Sequence, residues 1–275
     1  MPLCLRLHER TAIPLEVDSL KIETVCHQSL EDVQATCIQY GNQQRRLDEF
    51  FEVSGSAAED RQVVWEGDCS NVKLIGAEMQ GGSMRVTGSA GMHLGAEMSG
   101  GDILVEGSAG DWVGAEMKGG TIRVQGNAGH LVGSVYRGGR RGMTGGEILI
   151  HGNAGNEVGH TMRRGLIAVG GRTGDAPGFN MIAGSILLFG EPGIRPGAGM
   201  RRGTIGLLAE NDETRMLPTF RLASRSQPTF LRFYLRHLQS RNFPGAGACL
   251  SAQFDTYRGD FLELGKGEIL RRVCD

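Results

Sequence analysis

Residues 95–126 read GAEMSGGDILVEGSAGDWVGAEMKGGTIRVQG, and this stretch holds nearly two copies of one short unit. Along the chain the unit's glycine recurs seven times, at steps of 19, 19, 26, 19, 19 and 19 residues. One unit therefore carries an insertion. A fixed period of about 20 residues is typical of a solenoid, in which each repeat stacks on the next. The unit glycines are Gly82, Gly101, Gly120, Gly146, Gly165, Gly184 and Gly203.

Three apolar positions keep a constant distance from the unit glycine. A methionine stands three residues before it, isoleucine or methionine two after it, and valine, isoleucine or leucine four after it. The segment Ile122–Val124 alternates apolar and variable residues, as a half-buried strand does. A Gly-x-Ala-Gly corner follows, for instance at residues 126–129. Parallel strands about 4.8 Å apart would stack with a right-handed crossover. The sequence predicts an all-β fold, a right-handed parallel β-helix of about 19 residues per coil and seven or more coils.

Segments on either side of the repeat lack its period. We expect a cap over residues 1–62, the glycine-rich β-helix over 63–208 and an extension with one helix over 209–275. A cap at the open end is what solenoids require.

Within these flanks the local patterns are less regular. Residues 14–17 and 33–40 read as strands, and residues 53–55 as the start of the first coil. Ser226 and Pro228 predict a helix start. That helix would end at Leu238 or Gln239 and pack its aromatic residues against the last coil. Further on, residues 257–260 read as a loop and 264–270 as a short strand.

The composition argues against several classes of protein. A net charge of −2 favours neither a nucleic-acid nor a membrane partner, and no apolar run is long enough to span a bilayer. No basic-then-apolar leader opens the chain, so we expect a cytoplasmic protein. The six cysteines form no C-x-x-C pair, which predicts buried free thiols and no metal site. They are Cys4, Cys26, Cys37, Cys69, Cys249 and Cys274.

No catalytic motif stands out. The chain has no G-x-x-x-x-G-K-[ST] loop, no G-x-S-x-G elbow and no H-E-x-x-H pair, so we expect no catalytic residues. Its histidines lie at different phases of the repeat and should not converge. The three Gly-Ala-Glu-Met copies stack Glu78, Glu97 and Glu116, where like charges repel. Solvent exposure, a partner's arginine or a bound cation could each offset that repulsion.

Arginine collects in the later repeats. Nine arginines and four acids lie between Arg137 and Arg202, whereas six acids and three bases lie between Gly76 and Gly133. Several of these arginines occupy the one or two positions of the repeat just before the unit glycine, next to the insertion. Guanidinium groups suit carboxylates and phosphates, so we predict contacts with an acidic ligand or partner, the alternative being a solvated basic face. The predicted residues are Arg137, Arg140, Arg141, Arg163, Arg164, Arg201 and Arg202.

Four segments carry a resemblance to a known family. The glycine repeat is similar to the C-terminal region of the large subunit of glutamate synthase. The flanking segments make the resemblance more specific, because together with the repeat they resemble the C subunit of formylmethanofuran dehydrogenase. These segments are residues 40–42, 47–55, 257–260 and 265–270. That family includes the homologous subunit of the formyltransferase/hydrolase complex of methylotrophic bacteria.

The resemblance implies a non-catalytic structural subunit. Its complex would transfer a formyl group between tetrahydromethanopterin and methanofuran and hydrolyse formylmethanofuran to formate. The implied partners are a formyltransferase subunit, an amidohydrolase-like subunit and a dehydrogenase-like subunit, and a dimeric complex stays open. No cofactor would be held tightly by this chain, although a methanofuran-type cofactor could contact it. Arginine makes up 25 of 29 basic residues, which is typical of GC-rich bacteria and favours this complex. A molybdenum or tungsten formylmethanofuran dehydrogenase and an independent β-helix enzyme are the alternatives.

Overall fold

The computed structural model of the protein describes residues 1–210 and 213–273. The elements before the regular repeat are β1 (Leu3–Leu7), β2 (Leu15–Glu16), α1 (Ile22–Val25), α2 (Leu30–Gln34), β3 (Cys37–Tyr40), β4 (Gln43–Arg46), β5 (Phe51–Ser54), β6 (Gln62–Glu66) and β7 (Val72–Lys73). The repeat strands are β8 (Ser83–Val86), β9 (Asp102–Val105), β10 (Thr121–Val124), β11 (Glu147–Ile150), β12 (Leu166–Val169), β13 (Ser185–Leu188) and β14 (Arg202–Leu207). The chain continues through β15 (Arg221–Ser226), α3 (Thr229–Ser240), β16 (Phe254–Gly259) and β17 (Lys266–Arg272).

One large sheet dominates the molecule. Its thirteen strands run in the order β15-β16-β17-β14-β13-β12-β11-β10-β9-β8-β6-β1-β5, beside a four-stranded sheet of order β4-β3-β2-β7. Strands β8 to β14 pair in parallel, and each residue faces its equivalent in the next repeat, as Ile103 faces Ile122. The mostly-β architecture and the stacking of equivalent residues are therefore confirmed.

The apolar columns form the interior. All seven methionines that precede the unit glycines are at most 1% exposed, and the isoleucines after the glycines are equally buried. Methionine fills irregular gaps between the stacked repeats because its thioether chain is flexible. The predicted burial of the methionine column is confirmed.

The unit glycine is required by both conformation and space. Gly120 has φ of +89°, which a side chain disfavours, and a Cβ there would lie 2.6 Å from the carbonyl oxygen of Gly101. At the following corner, Asn127 and Asn153 stack, and the Asn127 Oδ1 accepts the Asn153 N–H at 2.8 Å. Such side-chain bonds between repeats hold the corners in register.

The N-terminal segment differs from the expectation in two places. Residues 33–34 end α2 instead of starting a strand, because Ser29 and Asp32 form a capping box that begins a helix. The segment 53–55 starts no coil, since β5 runs antiparallel to β1 at the edge of the sheet. β1 also pairs in parallel with β6, which joins this end to the large sheet.

The C-terminal segment differs as well. The helix begins at Thr229 after Pro228, while Ser226 belongs to β15, and Tyr257 lies in a strand, not a loop. Leu231, Leu235 and Leu238 of α3 pack with Leu149 and Leu187, which point away from the interior columns. The helix therefore covers the outer face of the sheet, whereas β17, β16 and β15 extend the sheet past its last repeat.

The aromatic residues of α3 differ in burial, because Tyr234 is partly buried and packs against the cluster under the helix, as expected. Phe230 is 40% exposed and Phe233 is 67% exposed, so the expected packing is wrong for Phe230. None of the helices in residues 1–210 and 213–273 is both long and apolar enough to cross a membrane.

Candidate functional site

The repeat places two arginine pairs on one surface. Arg163 and Arg201 each donate their backbone N–H to the methionine carbonyl one repeat earlier, and Ile182 does the same in the repeat between them. The two pairs are thus two strand spacings apart, about 10 Å. Arg164 and Arg202 follow directly in sequence, so four guanidinium groups border the same strip.

The insertion brings two more arginines to this strip. Its backbone is fixed at Tyr136, whose N–H donates to the Glu116 Oε1 at 3.0 Å. The Tyr136 ring packs beside Trp112 and His93, and its hydroxyl lies 3.0 Å from the His93 Nδ1. Burial raises the pKa of Tyr136 to about 12, so the phenol stays protonated in this cluster.

These residues surround a cleft of about 860 Å³, which we call the arginine cleft. Of the seven arginines predicted from the sequence, six line it and Arg137 does not. Tyr234 of α3 and Leu264 lie on its walls. The lining arginines are Arg140, Arg141, Arg163, Arg164, Arg201 and Arg202.

The positive charge of the cleft is largely uncompensated. Arg201 pairs with Glu263 at 3.3 Å. Within the described part of the chain, the other five lining arginines make no ion pair. Arg172, outside the cleft, pairs instead with Glu191 at 3.0 Å. Guanidinium groups stay protonated and donate in a planar fork, so the cleft can hold carboxylates or phosphates.

The stacked glutamates are compensated within the chain. Glu78 pairs with Lys21, Glu97 with Lys118 at 3.1 Å, and Glu116 accepts the N–H of the insertion. Neither a partner's arginine nor a cation is required there. Across residues 1–210 and 213–273, no group of three or more histidine, cysteine or acidic side chains is arranged to hold a metal ion.

The cysteines divide by burial. Cys26, Cys69 and Cys249 are buried, and burial raises the pKa of the Cys69 thiol to about 12. Cys37 is exposed, so the expectation of buried thiols is wrong there. Cys274 lies outside the described residues.

Sequence reasoning missed the walls of the cleft. Tyr234 belongs to a second stripe of α3, formed with Phe230, Phe233 and His237 at helical spacing, which we call the outer stripe. That i, i+3, i+4, i+7 spacing was a readable signal. Leu264 carried no such signal.

Comparison with known proteins agrees with this architecture. The model of the GXGXG motif family matches residues 70–264, which is more than half of the chain. The chain belongs to the GXGXG motif family. The C subunit of the tungsten-containing formylmethanofuran dehydrogenase 2 of Methanothermobacter marburgensis is 42% identical over 89 residues, covering 31% of this chain and 33% of that subunit. The C subunit of the molybdenum-containing formylmethanofuran dehydrogenase 1 of Methanosarcina barkeri is 38% identical over 85 residues, or 30% and 28% of the two chains.

The matched stretch thus spans about a third of the length of these curated relatives. A solved structure matches much further: a chain of the formyltransferase/hydrolase complex (FhcABCD) from Methylorubrum extorquens, determined in complex with methylofuran. Its TM-score is 0.89 at 30% identity, covering 98% of this chain and 99% of that one. The resemblance found in the sequence of this GXGXG protein is confirmed.

Proposed function

We propose that this chain is a non-catalytic structural subunit of a formyltransferase/hydrolase complex. The complex would transfer a formyl group between tetrahydromethanopterin and methanofuran and hydrolyse formylmethanofuran to formate. The observation that carries the proposal is the match over 98% of the chain to a chain of such a complex. The dehydrogenase relatives match over only about a third of the chain, which makes the C subunit of a dehydrogenase the second candidate.

The proposal includes an architecture. In-register parallel pairing of repeats 19 residues apart supports a right-handed parallel β-helix, because parallel crossovers are right-handed in nearly all proteins. We propose that residues 63–208 form this β-helix, with residues 1–62 as its cap and residues 209–275 as its extension. The proposed location is the cytoplasm, and the proposed neighbours are a formyltransferase, an amidohydrolase-like and a dehydrogenase-like subunit.

The arginine cleft supports a role in holding an anionic ligand. A methanofuran-type cofactor with a glutamyl tail would present several carboxylates to it. Exposed arginine–carboxylate pairs contribute only about 0–1 kcal/mol each, so single contacts break easily. Several together keep the local concentration of the tail high while its reactive end moves between separate active sites. Contact with the acidic surface of a partner is the second use that the same charges allow.

Charge reversal inside the cleft tests this role. In the assembled complex, Arg163→Glu with Arg164→Glu should raise the apparent KM for the cofactor, and the salt dependence of KM should weaken. The matched control is Arg172→Glu with Arg195→Glu, which reverses two charges outside the cleft. Dissociation of the complex would assign the arginines to a partner. Unchanged KM and unchanged assembly would leave the strip as a solvated face and refute both roles.

Activity of the separate chain tests the absence of catalytic residues. We expect no transferase, hydrolase or dehydrogenase turnover from the purified chain, because the described residues that line the cleft include no nucleophile paired with a base. Turnover by the chain alone would instead favour an independent β-helix enzyme. Intact transfer and hydrolysis by a complex that lacks this chain would contradict the structural role.

A further inference from the structure

Exposed apolar side chains stand beside the arginine cleft on two elements of the fold. The first element is the 260–265 loop, where Phe261 is 54%, Leu262 82% and Leu264 54% exposed. The second element is α3, with Phe230 and Phe233 also exposed. Large exposed apolar groups beside a polar site mark interaction surfaces in soluble proteins.

The 260–265 loop is held in place by its own hydrogen bonds. Asp260 is 3% exposed, and its carboxylate accepts the N–H of Gly199 at 3.1 Å and of Leu262 at 2.9 Å. The Asp260 carbonyl accepts the N–H of Gly265 at 2.9 Å. Arg221 lies over the Phe261 ring at 5.6 Å. The leucines are therefore presented to solvent by an ordered loop, which lowers the entropy cost of docking.

The outer stripe of α3 is also fixed. The His237 Nε2 lies 2.5 Å from the Glu147 Oε2, and the Tyr234 hydroxyl lies 3.4 Å from the Ser185 Oγ. Between this stripe and the sheet runs a groove of about 650 Å³. Its floor is one stacked position of successive strands, namely Glu147, Leu166, Ser185, Thr204 and Glu268.

The cleft joins the two apolar groups into one surface. Tyr234 of α3 and Leu264 of the loop both line it together with the arginines. In the part of the chain that the structure describes, no lysine lines the cleft or the groove. Aromatic residues and arginine are enriched in protein interfaces, whereas lysine is depleted. The composition is thus that of an interface centre more than that of an ordinary solvated face.

We infer that one neighbouring subunit docks on the outer stripe of α3 and on the 260–265 loop at once and covers the arginine cleft. This neighbour carries apolar pockets for Phe233 and Leu262, and carboxylates on the surface between them. This inference rests on the proposed role in a complex and adds to it the docking face and the partner's chemistry. Covered in this way, the cleft becomes a passage in which arginine–anion contacts are less screened by solvent.

A second copy of this chain fits the surface poorly. A two-fold contact whose axis passes through the cleft would bring the arginines of one chain against those of the other. Like charges at such short range repel, and the repulsion grows as water is excluded. An acidic partner removes that repulsion, so charge complementarity selects a different subunit.

Substitution of the anchors tests the docking face. In the intact complex, Phe233→Ser and Leu262→Ser should each raise the concentration at which the complex half-dissociates by about 30-fold, as loss of a central interface anchor does. Leu30→Ser is the matched control, since Leu30 is exposed on α2, away from this face. Mass photometry across a dilution series measures the effect. Assembly unchanged by both anchor variants would overturn the inference.

Photo-crosslinking tests whether one subunit spans the cleft. A benzoylphenylalanine placed at position 233 and, separately, at position 262 should crosslink to the same subunit. Phenylglyoxal should modify Arg163 and Arg164 faster in the free chain than in the complex. Crosslinks to two different subunits, equal arginine reactivity, or self-association of the free chain that the anchor variants abolish would each overturn the inference.

The two proposals fail separately. If Arg163→Glu with Arg164→Glu raises the KM while both anchor variants assemble normally, the covering neighbour is refuted and the role of the cleft stands. If the anchor variants dissociate the complex while the arginine variant leaves KM unchanged, the docking face stands and the anion-holding role is refuted.

Discussion

Replacing Met117 by alanine tests how the stacked interior is held together. Met117 is fully buried in the methionine column. A Cβ built on Gly146, the unit glycine of the next repeat, would lie 2.6 Å from the Met117 Cε. The methionine therefore reaches across the strand spacing and fills the space that the next glycine leaves open.

The expected loss follows from this geometry. Met117→Ala removes roughly three methylene-sized groups, worth about 2.4 kcal/mol of transfer free energy at ~0.8 kcal/mol each. The backbone of the next repeat is held by parallel pairing on both sides, so it cannot collapse far into the space, and a cavity term adds to the loss. We expect the free energy of unfolding to fall by about 3–4 kcal/mol, within the usual range for such cavities.

Urea unfolding measures this loss. Circular dichroism and tryptophan fluorescence should be followed together, because coincident transitions show that the array unfolds as one unit. Met92→Ala is the matched control, since Met92 is only half-buried, and it should cost less than about 1 kcal/mol. If Met117→Ala cost no more than Met92→Ala at an unchanged m-value, the packed methionine column would be refuted.

Three further outcomes are expected. The pKa of His93 is lowered, chiefly by burial, so the unfolded chain binds the proton more readily and the free energy of unfolding should fall as the pH drops below about 6.5. Urea titrations at pH 5.5 and 7.5 measure this pH dependence, which His93→Gln should flatten. The same pH dependence in His93→Gln and in the unsubstituted protein would contradict the prediction. In the native protein, exposed Cys37 should react with Ellman's reagent at once. Cys69 should react only on unfolding, because burial raises the pKa of its thiol to about 12. Equal rates of reaction at the two cysteines would contradict the burial of Cys69. Glu116→Ala removes the acceptor of the Tyr136 N–H and should speed trypsin cleavage after Arg140 several-fold. Glu97→Ala is the control. Equal rates of cleavage in the two variants would show that Glu116 does not hold the insertion.

The periodic part of the molecule could be predicted from the sequence because its contacts have constant separation. Ile103 meets Ile122, and Met98 meets Gly120, at the same phase in every repeat, so the apolar columns and their burial follow from the register. The same logic placed Arg163 and Arg201 on one strip. Where a unit departs from the period, the register no longer fixes the position of a residue: of the three arginines in the insertion, Arg140 and Arg141 line the cleft and Arg137 does not.

The flanking segments depended on contacts that no local pattern encodes. Residues 33–34 became helical through the cap at Ser29, and α3 was drawn to the outer face of the sheet, where His237 meets Glu147 from 90 residues away. The 260–265 loop took its shape from Asp260, which bonds to Gly199, 61 residues earlier. Hydrophobic burial decides that such segments must pack somewhere but not where, because it is non-directional. The repeat and its arginine strip were thus set by the sequence period, whereas the walls of the arginine cleft and its exposed apolar neighbours were decided only when the chain ends packed against the finished sheet.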